Sequence, residues 1–491
     1  IDACPESAID LTYQIDLDKC KSHRACVAAC GAIGAIDFVR EANERSGGYD
    51  LIFDLSPTPT LRRHQLPQGY FAPGQDAARQ ASDALKLAQM VGEFEKPRFV
   101  RYKEKLCAHG RNGKIGCTAC IDVCSAEAIR HDGNHVKIDP NLCAGCGACS
   151  TVCPSGAIEY SYPRATDMGT RIKTMLAAYN RAGGQEAALL FHSKEQGAAL
   201  IEQTGRLAMV GGRGMPARAI PLAVHHVASV GIDLWLAALA YGVANIAVLM
   251  TGEEAPQYVD ALEQQMASAQ AILSGLGYAG THVQLIRAAN AAELETALHA
   301  LQPGTVPAVR ASFNVAVDKR DTLDFAIDHL LKFAPQPSDE IALPAGSLFG
   351  TVNLNKDACT LCMSCVGACP ESALMDNTDL PQLRFVEKNC VQCGLCEKTC
   401  PENAITLTPR LLLTADVRKA RVINEAVPYH CIRCQKPFGT LQMIDNMLAK
   451  LSLHSAFAGN LERIKMCSDC RVIDMMENKK EVSILDVTRP H

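Results

Sequence analysis

Twenty-four cysteines, many of them at short regular spacings, are the residues of this 491-residue sequence that could do chemistry. The most regular stretch, residues 359–401, holds two runs of the form C-x2-C-x2-C-x3-C-P. Three thiolates on one tight loop can reach three corners of an iron–sulfur cube, so the fourth ligand must come from the other run. The two predicted ligand sets are Cys359, Cys362, Cys365 with Cys400, and Cys390, Cys393, Cys396 with Cys369.

A second pair of runs lies between residues 107 and 154 and departs from this spacing at one place. Nine residues, rather than two, separate Cys107 from Cys117, and this basic, Gly-rich loop contains His109 and Arg111. We expect the loop to be exposed, because most loops are solvated. The crossing rule predicts the sets Cys107, Cys117, Cys120 with Cys153, and Cys143, Cys146, Cys149 with Cys124.

These two regions, with CTLCMSCVGACP and CVQCGLCEKTCP as their most regular stretches, resemble the bacterial two-cluster ferredoxin family. The resemblance implies an electron-transfer protein. Zinc or buried structural thiols are the competing interpretation, but the complete spacing of both halves favours iron–sulfur ligation. We therefore expect at least four 4Fe-4S clusters from these regions, and five or more with the N-terminal region.

Residues 1–40 resemble a specialised ferredoxin unit. Cys4-Pro5 has the form of a fourth ligand, and His23 stands where the regular spacing from Cys20 would place a second cysteine. One interpretation joins Cys4, Cys20 and Cys26 with His23 as the candidate fourth ligand, since imidazole can replace thiolate on iron. Cys30 would then serve a cluster whose other ligands precede Ile1. The alternatives are a local set of Cys4, Cys20, Cys26 and Cys30, and a surface role for His23.

Two C-x2-C pairs near the C-terminus are separated by a predicted helix, LQMIDNMLAKL, at residues 441–451. Four such thiols can form one closed tetrahedral site, for Zn2+ or for a further 4Fe-4S cluster, and zinc is slightly favoured. The pairs are Cys431 with Cys434 and Cys467 with Cys470. All cysteines now belong to a ligand group, so no thiol remains as a candidate nucleophile and no catalytic residue is predicted.

The region between residues 165 and 345 contains no cysteine. Apolar runs predict buried strands at 187–192, 245–250 and 281–287, and the stretches 217–241 and 258–276 predict helices, which together indicate a parallel α/β sheet. This region weakly resembles the delta-type subunits that join hydrogenases or formate dehydrogenases to heterodisulfide reductases. Their 2Fe-2S centre cannot be carried over to a stretch without cysteine.

The sequence GGRG at 211–214 follows a strand-like segment, LAMV at 207–210, and precedes a predicted helix that carries His225 and His226. A phosphate cradle would lie at such a turn. The spacing is not that of a dinucleotide fingerprint, so a structural turn is the preferred interpretation. The hypothesis that competes with electron transfer is a redox enzyme that binds a flavin or an organic substrate in this region.

The predicted fold class is α+β / α/β, with repeated two-cluster ferredoxin-like modules flanking a central α/β domain and a helical C-terminal domain with a four-Cys metal site. The net charge of −5 argues against a nucleic-acid partner, and neither a membrane span nor a signal peptide is evident. Clustered cysteines in a long chain favour metal over disulfide, which predicts a cytoplasmic location. The predicted domains are 1–40, 41–106 as a scaffold, 107–164, 165–345, 346–410 and 411–491.

In its whole layout the chain resembles the large multi-cluster 4Fe-4S proteins found with bacterial formate dehydrogenase systems. LCAHGRNGKIGCTACIDVC, CTLCMSCVGACPESAL, CVQCGLCEKTCPENAI and the segments KPFGT and MCSDCRV carry this resemblance. It implies an electron-transfer role beside redox protein partners, such as a dehydrogenase or reductase subunit. The lack of a dinucleotide fingerprint, a catalytic thiol and an open metal site in the sequence favours a non-catalytic subunit over an enzyme.

Overall fold

The computed structural model describes residues 1–9, 15–16, 18–34, 36, 38, 47–62, 66–67, 69–92, 96–378, 380–452 and 461–477. The chain divides into two units, residues 1–53 and 54–491, and each is described by itself. The first unit contains helix α1 (Ala25–Cys30), a 3-10 turn (Gly31–Ile33) and strand β1 (Ile52–Phe53).

The second unit begins with a segment that carries no cysteine before residue 107. The helix expected near residues 75–91 is confirmed as α2. The residue before it, Asp76, caps the helix, because its carboxylate accepts hydrogen bonds from the backbone N–H groups of Ala78 and Arg79. The strand expected at 49–56 is limited to β1. The elements of this segment are β2 (Tyr70–Phe71), α2 (Ala77–Gln89) and β3 (Val100–Tyr102).

Residues 107–164, here called the first dicluster domain because their cysteine spacing predicts two clusters, consist of short antiparallel strand pairs and two short helices that carry cysteines. Residues 346–410 are called the second dicluster domain for the same reason. β3 pairs with β8, so the chain segments before and after the cysteine runs are joined. The elements are β4 (Gly110–Arg111), β5 (Lys114–Ile115), α3 (Ala119–Asp122), β6 (Ile129–Asp132), β7 (His135–Ile138), α4 (Ala148–Val152) and β8 (Ile158–Tyr160).

The central domain is a three-layer α/β structure around a parallel sheet, as the alternation of strands and helices predicts. The sheet order is β10-β9-β11-β12, with every pair parallel. The elements are α5 (Ala165–Arg181), β9 (Ala188–Ser193), α6 (Gln196–Met209), β10 (Ala219–Val224), α7 (Ile232–Ala240), β11 (Asn245–Met250), α8 (Pro256–Gly275), β12 (Val283–Arg287), α9 (Ala291–Ala300), α10 (Lys319–Lys332) and β13 (Glu340–Ala342).

Alternate residues of the central strands enter two separate cores. Leu189 and Phe191 of β9 pack with α5, α7, α8 and α10, whereas Leu190 packs with α6 and α9 on the opposite face. This follows from the two-residue period of a strand, which requires a strand buried on both faces to be apolar throughout. The three apolar runs at 187–192, 245–250 and 281–287 are accordingly confirmed as strands.

Two expectations for the central domain are wrong. Residues 217–241 are not one helix: they form β10, a 3-10 turn (Val227–Ser229) and α7, because the Ala- and Val-rich run pairs with β9. His225 and His226 therefore lie in the connection after β10. The segment 207–210, expected as a strand, instead ends α6 at Met209.

The second dicluster domain starts with a strand where a linker was expected, because β14 pairs with β17. β17 also pairs with β13, so one three-stranded antiparallel sheet joins residues from both sides of the cysteine runs. The elements are β14 (Gly350–Leu354), α11 (Ser364–Ala368), β15 (Leu374–Met375), β16 (Gln382–Phe385), α12 (Leu395–Thr399) and β17 (Ile405–Leu412).

The C-terminal region is only partly helical, which corrects the expected helical domain. Its first strand, β18, pairs with β16 of the preceding domain, and a hairpin of β19 and β20 surrounds the first C-x2-C pair. The helix expected at 441–451 is confirmed as α13. The elements are β18 (Arg421–Glu425), β19 (Pro428–His430), β20 (Pro437–Thr440), α13 (Leu441–Leu451) and α14 (Ser468–Glu477).

Candidate metal centres

In the first dicluster domain, the sulfur charges act on one another within the two sets that the crossing rule names, and we refer to these sets as groups. Group 1 comprises Cys124, Cys143, Cys146 and Cys149. Group 2 comprises Cys107, Cys117, Cys120 and Cys153. Burial raises the pKa of Cys117 to about 11, and the charges of Cys153 and Cys107 add to the rise.

The second dicluster domain repeats this arrangement. Group 3 comprises Cys369, Cys390, Cys393 and Cys396. Group 4 comprises Cys359, Cys362, Cys365 and Cys400. Burial raises the pKa of Cys365 to about 12, again with the neighbouring sulfurs of its group adding to the rise.

The donor sets fit the iron–sulfur clusters that the spacing predicts. At least one thiol in each group has a pKa raised mainly by burial, so its thiolate form requires nearby positive charge. A bound metal cluster supplies that charge, and four soft sulfur donors suit iron–sulfur ligation. The ligation of each cysteine stays a prediction.

Each group is the electrostatic neighbour of the next. The charge of Cys120 in group 2 acts on Cys149 in group 1, and that of Cys365 in group 4 acts on Cys396 in group 3. Burial is the main cause of the raised pKa of Cys393 in group 3, and the charge of Cys117 in group 2 adds to it from the other domain. The neighbours follow in the order group 1, group 2, group 3 and group 4, and we call this order the row.

The two dicluster domains are in direct contact where groups 2 and 3 face each other. Lys398 of α12 donates through Nζ to the carbonyl oxygen of Gly116 at 3.3 Å. A Cβ on Gly116 would lie 2.9 Å from both Leu395 Cδ2 and the Ala108 carbonyl oxygen. Gly116 precedes Cys117 and Leu395 precedes Cys396, so this junction lies beside both sulfur groups.

Three of the regular cysteine loops share one backbone conformation. The residues two and four positions after the first cysteine have positive φ: Gly145 and Gly147, Leu361 and Met363, and Gln392 and Gly394. A non-glycine residue in this region is strained, and such strain persists where the surrounding structure requires it. The three loops therefore share a local fold in addition to their cysteine spacing.

The fourth cysteines of four runs also share a turn. The backbone N–H four residues later donates to the cysteine Sγ at 3.2–3.3 Å, from Ala8 to Cys4, Ala128 to Cys124, Ala373 to Cys369 and Ala404 to Cys400. The residue three positions after each of these cysteines has positive φ. N–H donors to sulfur stabilise the thiolate form, as a ligand position requires.

The N-terminal unit repeats both conformations. Ser22 and Arg24 have φ of 57° and 58°, which places His23 at the position of the second cysteine in the regular loops. Cys4 forms the shared fourth-cysteine turn, whereas Cys30 leads into a 3-10 turn instead. His23 Nε2 lies 3.9 Å from Glu6 Oε1, and its side chain is half-exposed. Cys26 and Cys30 both lie on α1, and the ligation of Cys4, Cys20, His23, Cys26 and Cys30 stays a prediction.

The extra loop between Cys107 and Cys117 is exposed at residues 112–115, as expected, but His109 at its base is buried. The Nδ1 atom of His109 lies 2.8 Å from the carbonyl oxygen of Cys117, and its Nε2 lies 2.9 Å from Nδ1 of His131. The loop forms the β4–β5 hairpin, whose base is buried and whose tip is exposed. No spacing pattern in the sequence indicated this histidine pair.

The four C-terminal cysteines form the most tightly gathered sulfur group. The sulfurs of Cys431, Cys434, Cys467 and Cys470 all lie within 4.8 Å of one another, and those of Cys434 and Cys467 are 3.6 Å apart. Burial acts to raise the pKa of Cys431, but backbone N–H groups of Cys434, Cys467 and Arg433 outweigh it and lower that pKa to about 6. This arrangement can hold one metal ion with four thiolates.

The GGRG segment does not form a phosphate cradle, in agreement with the preferred interpretation as a structural turn. It follows helix α6 and leads into strand β10, whereas a cradle requires a strand followed by a helix N-terminus. The backbone N–H of Gly214 donates to Oε1 of Glu295 at 2.5 Å, so a carboxylate of the same chain already occupies this donor. The interpretation as a structural turn is the one that the geometry supports.

The carboxyl ends of β9 and β11, where open α/β sheets bind ligands, border the first dicluster domain. Ala228, Ala255 and Tyr258 of the central domain pack into the hydrophobic core of that domain. The hydroxyl groups of Tyr258 and Ser125 are 2.5 Å apart. Dicluster residues therefore pack at the edge of the sheet that a ligand would use.

In the part of the chain that the structure describes, no helix combines the length and the apolar character that crossing a membrane requires.

Comparison with protein families identifies both dicluster domains. A family model described as a 4Fe-4S dicluster domain matches residues 115–157, and a second model of the same description matches residues 358–405. The first match includes every cysteine of groups 1 and 2 except Cys107, which precedes the extra loop, and the second includes groups 3 and 4. A search of curated proteins found no match. The chain is an iron–sulfur protein of ferredoxin type with two 4Fe-4S dicluster domains and a further group of four cysteines.

Proposed function

We propose that this protein relays electrons through a row of four 4Fe-4S clusters that passes from one dicluster domain into the other. The observation that supports it most is the direct contact of the two dicluster domains at Gly116, beside groups 2 and 3. Two unrelated ferredoxin domains in one chain would not need to place their inner sulfur groups side by side. When bound, each cluster can accept and release one electron.

The residues of the chain supply three things to this relay. The cysteines fix the positions of the clusters, the N–H donors to sulfur stabilise the thiolates, and burial of the groups excludes water from them. Cys362 of group 4 is exposed, whereas the other cysteines of groups 1 to 4 are buried or half-buried. Group 4 is therefore the position at which a redox partner could exchange electrons most directly.

The N-terminal unit would hold a further cluster with Cys4, Cys20, His23 and Cys26 as ligands. The positive φ of Ser22 and Arg24 and the shared turn at Cys4 support this set over the local set that includes Cys30. A histidine ligand raises the potential of an iron–sulfur cluster relative to a cysteine ligand. The nitrogen of His23 would be detectable as a hyperfine coupling in pulsed EPR spectra, and His23→Cys would remove that coupling.

We further propose that the C-terminal group holds zinc. Four thiolates at about 2.3 Å from one zinc ion stand about 3.8 Å apart, which is close to the 3.6 Å separation of Cys434 and Cys467. Ligands of a 4Fe-4S cube bind four separate irons and must stand farther apart. Thr440 and Gln442 donate to the carbonyl oxygens of Thr360 and Asp357, so this site would brace the loop of group 4.

The partner of the relay would be a dehydrogenase or reductase subunit, of the formate dehydrogenase type, in the cytoplasm. The resemblance of the cysteine-rich stretches to multi-cluster proteins of those systems is what supports this part of the proposal. Purification of the chain with bound partners from its native host tests it. Recovery with proteins that lack any redox cofactor would contradict it.

Anaerobic iron and sulfide analysis combined with a reductive titration tests the relay itself. We expect at least about sixteen iron atoms per chain, from four cubes of four irons, and reversible uptake of at least about four electrons. Clusters that never change oxidation state would refute the proposal and leave the iron a purely structural role.

A further inference from the structure

Two consecutive residues of the central domain, Lys319 and Arg320, contact both dicluster domains at once. Both lie in the first turn of α10, and neither belongs to a cysteine run. Each donates several hydrogen bonds to backbone carbonyl groups beside one of the two facing sulfur groups. Because Lys319 and Arg320 are adjacent in one helix, the two backbone segments that they bind are fixed relative to each other.

Lys319 holds the segment that leads into Cys153 of group 2. Its Nζ donates to the carbonyl oxygens of Ser150 and Cys153, each at 3.1 Å, and to that of Thr151. These carbonyls lie at the C-terminal end of α4, where no helical N–H is available, and Pro154 provides no N–H. Three acceptors match the three N–H groups of an ammonium ion, so the charged form is fully satisfied.

Arg320 binds the segment that leads into Cys390 of group 3. Its Nη2 donates to the carbonyl oxygens of Lys388 at 3.1 Å and Cys390 at 3.4 Å, and its Nη1 donates to that of Leu348 at 3.1 Å. The guanidinium lies 4.8 Å from the ring centroid of Phe349, which fixes its plane. Arg320 thus positions the backbone from which the Cys390 sulfur projects.

The placement of these two cations is not explained by helix stability. Positive side chains are unfavourable at the N-terminus of a helix, where the macrodipole is positive. Each is instead close enough to a facing group to interact with a sulfur charge, Lys319 with Cys153 and Arg320 with Cys390. A buried positive charge beside a cluster favours its reduced state, since reduction adds negative charge.

We propose that Lys319 and Arg320 form a clamp that fixes the two dicluster domains against each other and raises the reduction potentials of the two inner clusters. This inference rests on the proposed relay. One electron leaves the cluster of one inner group as it enters the cluster of the other, and no further reactant is consumed. Both residues are positioning residues, because they contact the backbone that carries the ligands.

Methionine variants, which remove charge and hydrogen bonds but keep an extended side chain, test the clamp in the full metal-loaded chain. We expect Lys319→Met to shift the reduction equilibrium of the group 2 cluster about tenfold toward the oxidised state, which is about 59 mV for one electron. Arg320→Met should do the same to group 3. Asp233 near Lys319, and Asp324 and Glu371 near Arg320, partly offset each cation, so no larger shift is expected.

The central domain offers matched controls. Lys173 donates to three acceptors, the carbonyls of Ser312 and Phe313 and the side chain of Asn314, all within its own domain. Arg218 likewise donates to Glu186, Asn245 and Leu301. Lys173→Met and Arg218→Met lose equivalent hydrogen bonds away from the clusters and should leave all four potentials unchanged.

EPR-monitored redox titration is the readout, and Lys319→Arg and Arg320→Lys cover the case in which a methionine variant does not fold. These variants keep the charge, so the potentials should stay, while backbone hydrogen exchange at residues 148–153 or 388–390 should become faster. Unchanged potentials in the methionine variants, equal shifts in the controls, or unchanged exchange in the conservative variants would overturn the clamp. Failure of the relay would differ, because the clusters would then be absent or redox-inactive.

Discussion

Gly116→Ala should loosen the junction between the two dicluster domains without removing any cluster ligand. The new Cβ would lie 2.9 Å from the backbone oxygen of Ala108 and from Leu395 Cδ2, and closer still to Leu395 Cγ. Carbon atoms pack best at about 3.5–4.0 Å, so the two domains must separate by more than about 0.5 Å. The Ala108 oxygen belongs to the backbone and cannot rotate away.

The cost follows from overpacking of a well-packed contact, which is about 1–3 kcal/mol. If the free energy of local opening of the junction falls by this amount, amide exchange at residues 108–118 and 392–399 should become about 5- to 150-fold faster, at 1.4 kcal/mol per factor of ten. Hydrogen exchange followed by mass spectrometry on the metal-loaded chain measures both segments in one experiment.

Gly367→Ala is the control, since Gly367 lies on α11 in a cluster-binding run and a Cβ there would have no neighbour within 4 Å among the described residues. It should leave exchange at the junction unchanged. If Gly116→Ala accelerated exchange only on the Gly116 side, or on neither side, the two domains would not be in contact at this point.

Three further variants test other parts of the structure. Glu387 is buried and bonded to Arg410 through both carboxylate oxygens. Glu387→Gln should leave Arg421 without its counter-charge and Arg410 with only that of the half-exposed Glu340, at a cost of about 3 kcal/mol, seen as faster exchange along β17. Asp416→Asn, in an exposed pair, should have little effect. Cys467→Ser should remove about one zinc per chain and leave iron unchanged, and a loss of iron instead would identify the C-terminal group as a cluster site. Burial lowers the pKa of His282, so the folded state disfavours its protonation; stability is complete above the unfolded value of about 6.5 and falls as pH drops below it. When the pH is lowered from about 7.5 to about 5.5, the unfolding temperature of His282→Asn should therefore fall less than that of the parent chain. The control is His135→Asn, whose histidine is exposed and whose unfolding temperature should fall as much as that of the parent chain. Equal falls in all three proteins would show that His282 does not contribute to the pH dependence.

The presence of the two dicluster domains could be predicted from sequence because it depends on local spacing. A C-x2-C-x2-C loop has few ways to bring its thiols together, and the sulfur charges act on one another within the sets that the crossing rule names, while ligation stays a prediction. The strands β9, β11 and β12 were predictable for a similar reason, since each is a short apolar run buried on both faces.

The features that sequence reasoning missed depend on contacts between distant residues. Residues 217–241 have the composition of a helix, but pairing with β9 overrides that propensity for β10. His109 is buried because a hairpin folds back onto its own domain, and Lys319 acts on carbonyl groups about 170 positions away in sequence. No local pattern signals such partners, because a lysine in a helix has the same sequence appearance whether it is solvated or buried.

The central claim, that inner clusters of two domains lie side by side, is tested most directly by EPR of the fully reduced chain with one cluster removed. Cys393→Ala should abolish the group 3 cluster, and we predict slower spin relaxation of the group 2 cluster in the other domain, because its magnetic neighbour is lost. Cys362→Ala, which removes the group 4 cluster at the far end of the row, should leave group 2 unchanged. Identical group 2 relaxation in the parent chain and in Cys393→Ala would contradict the relay.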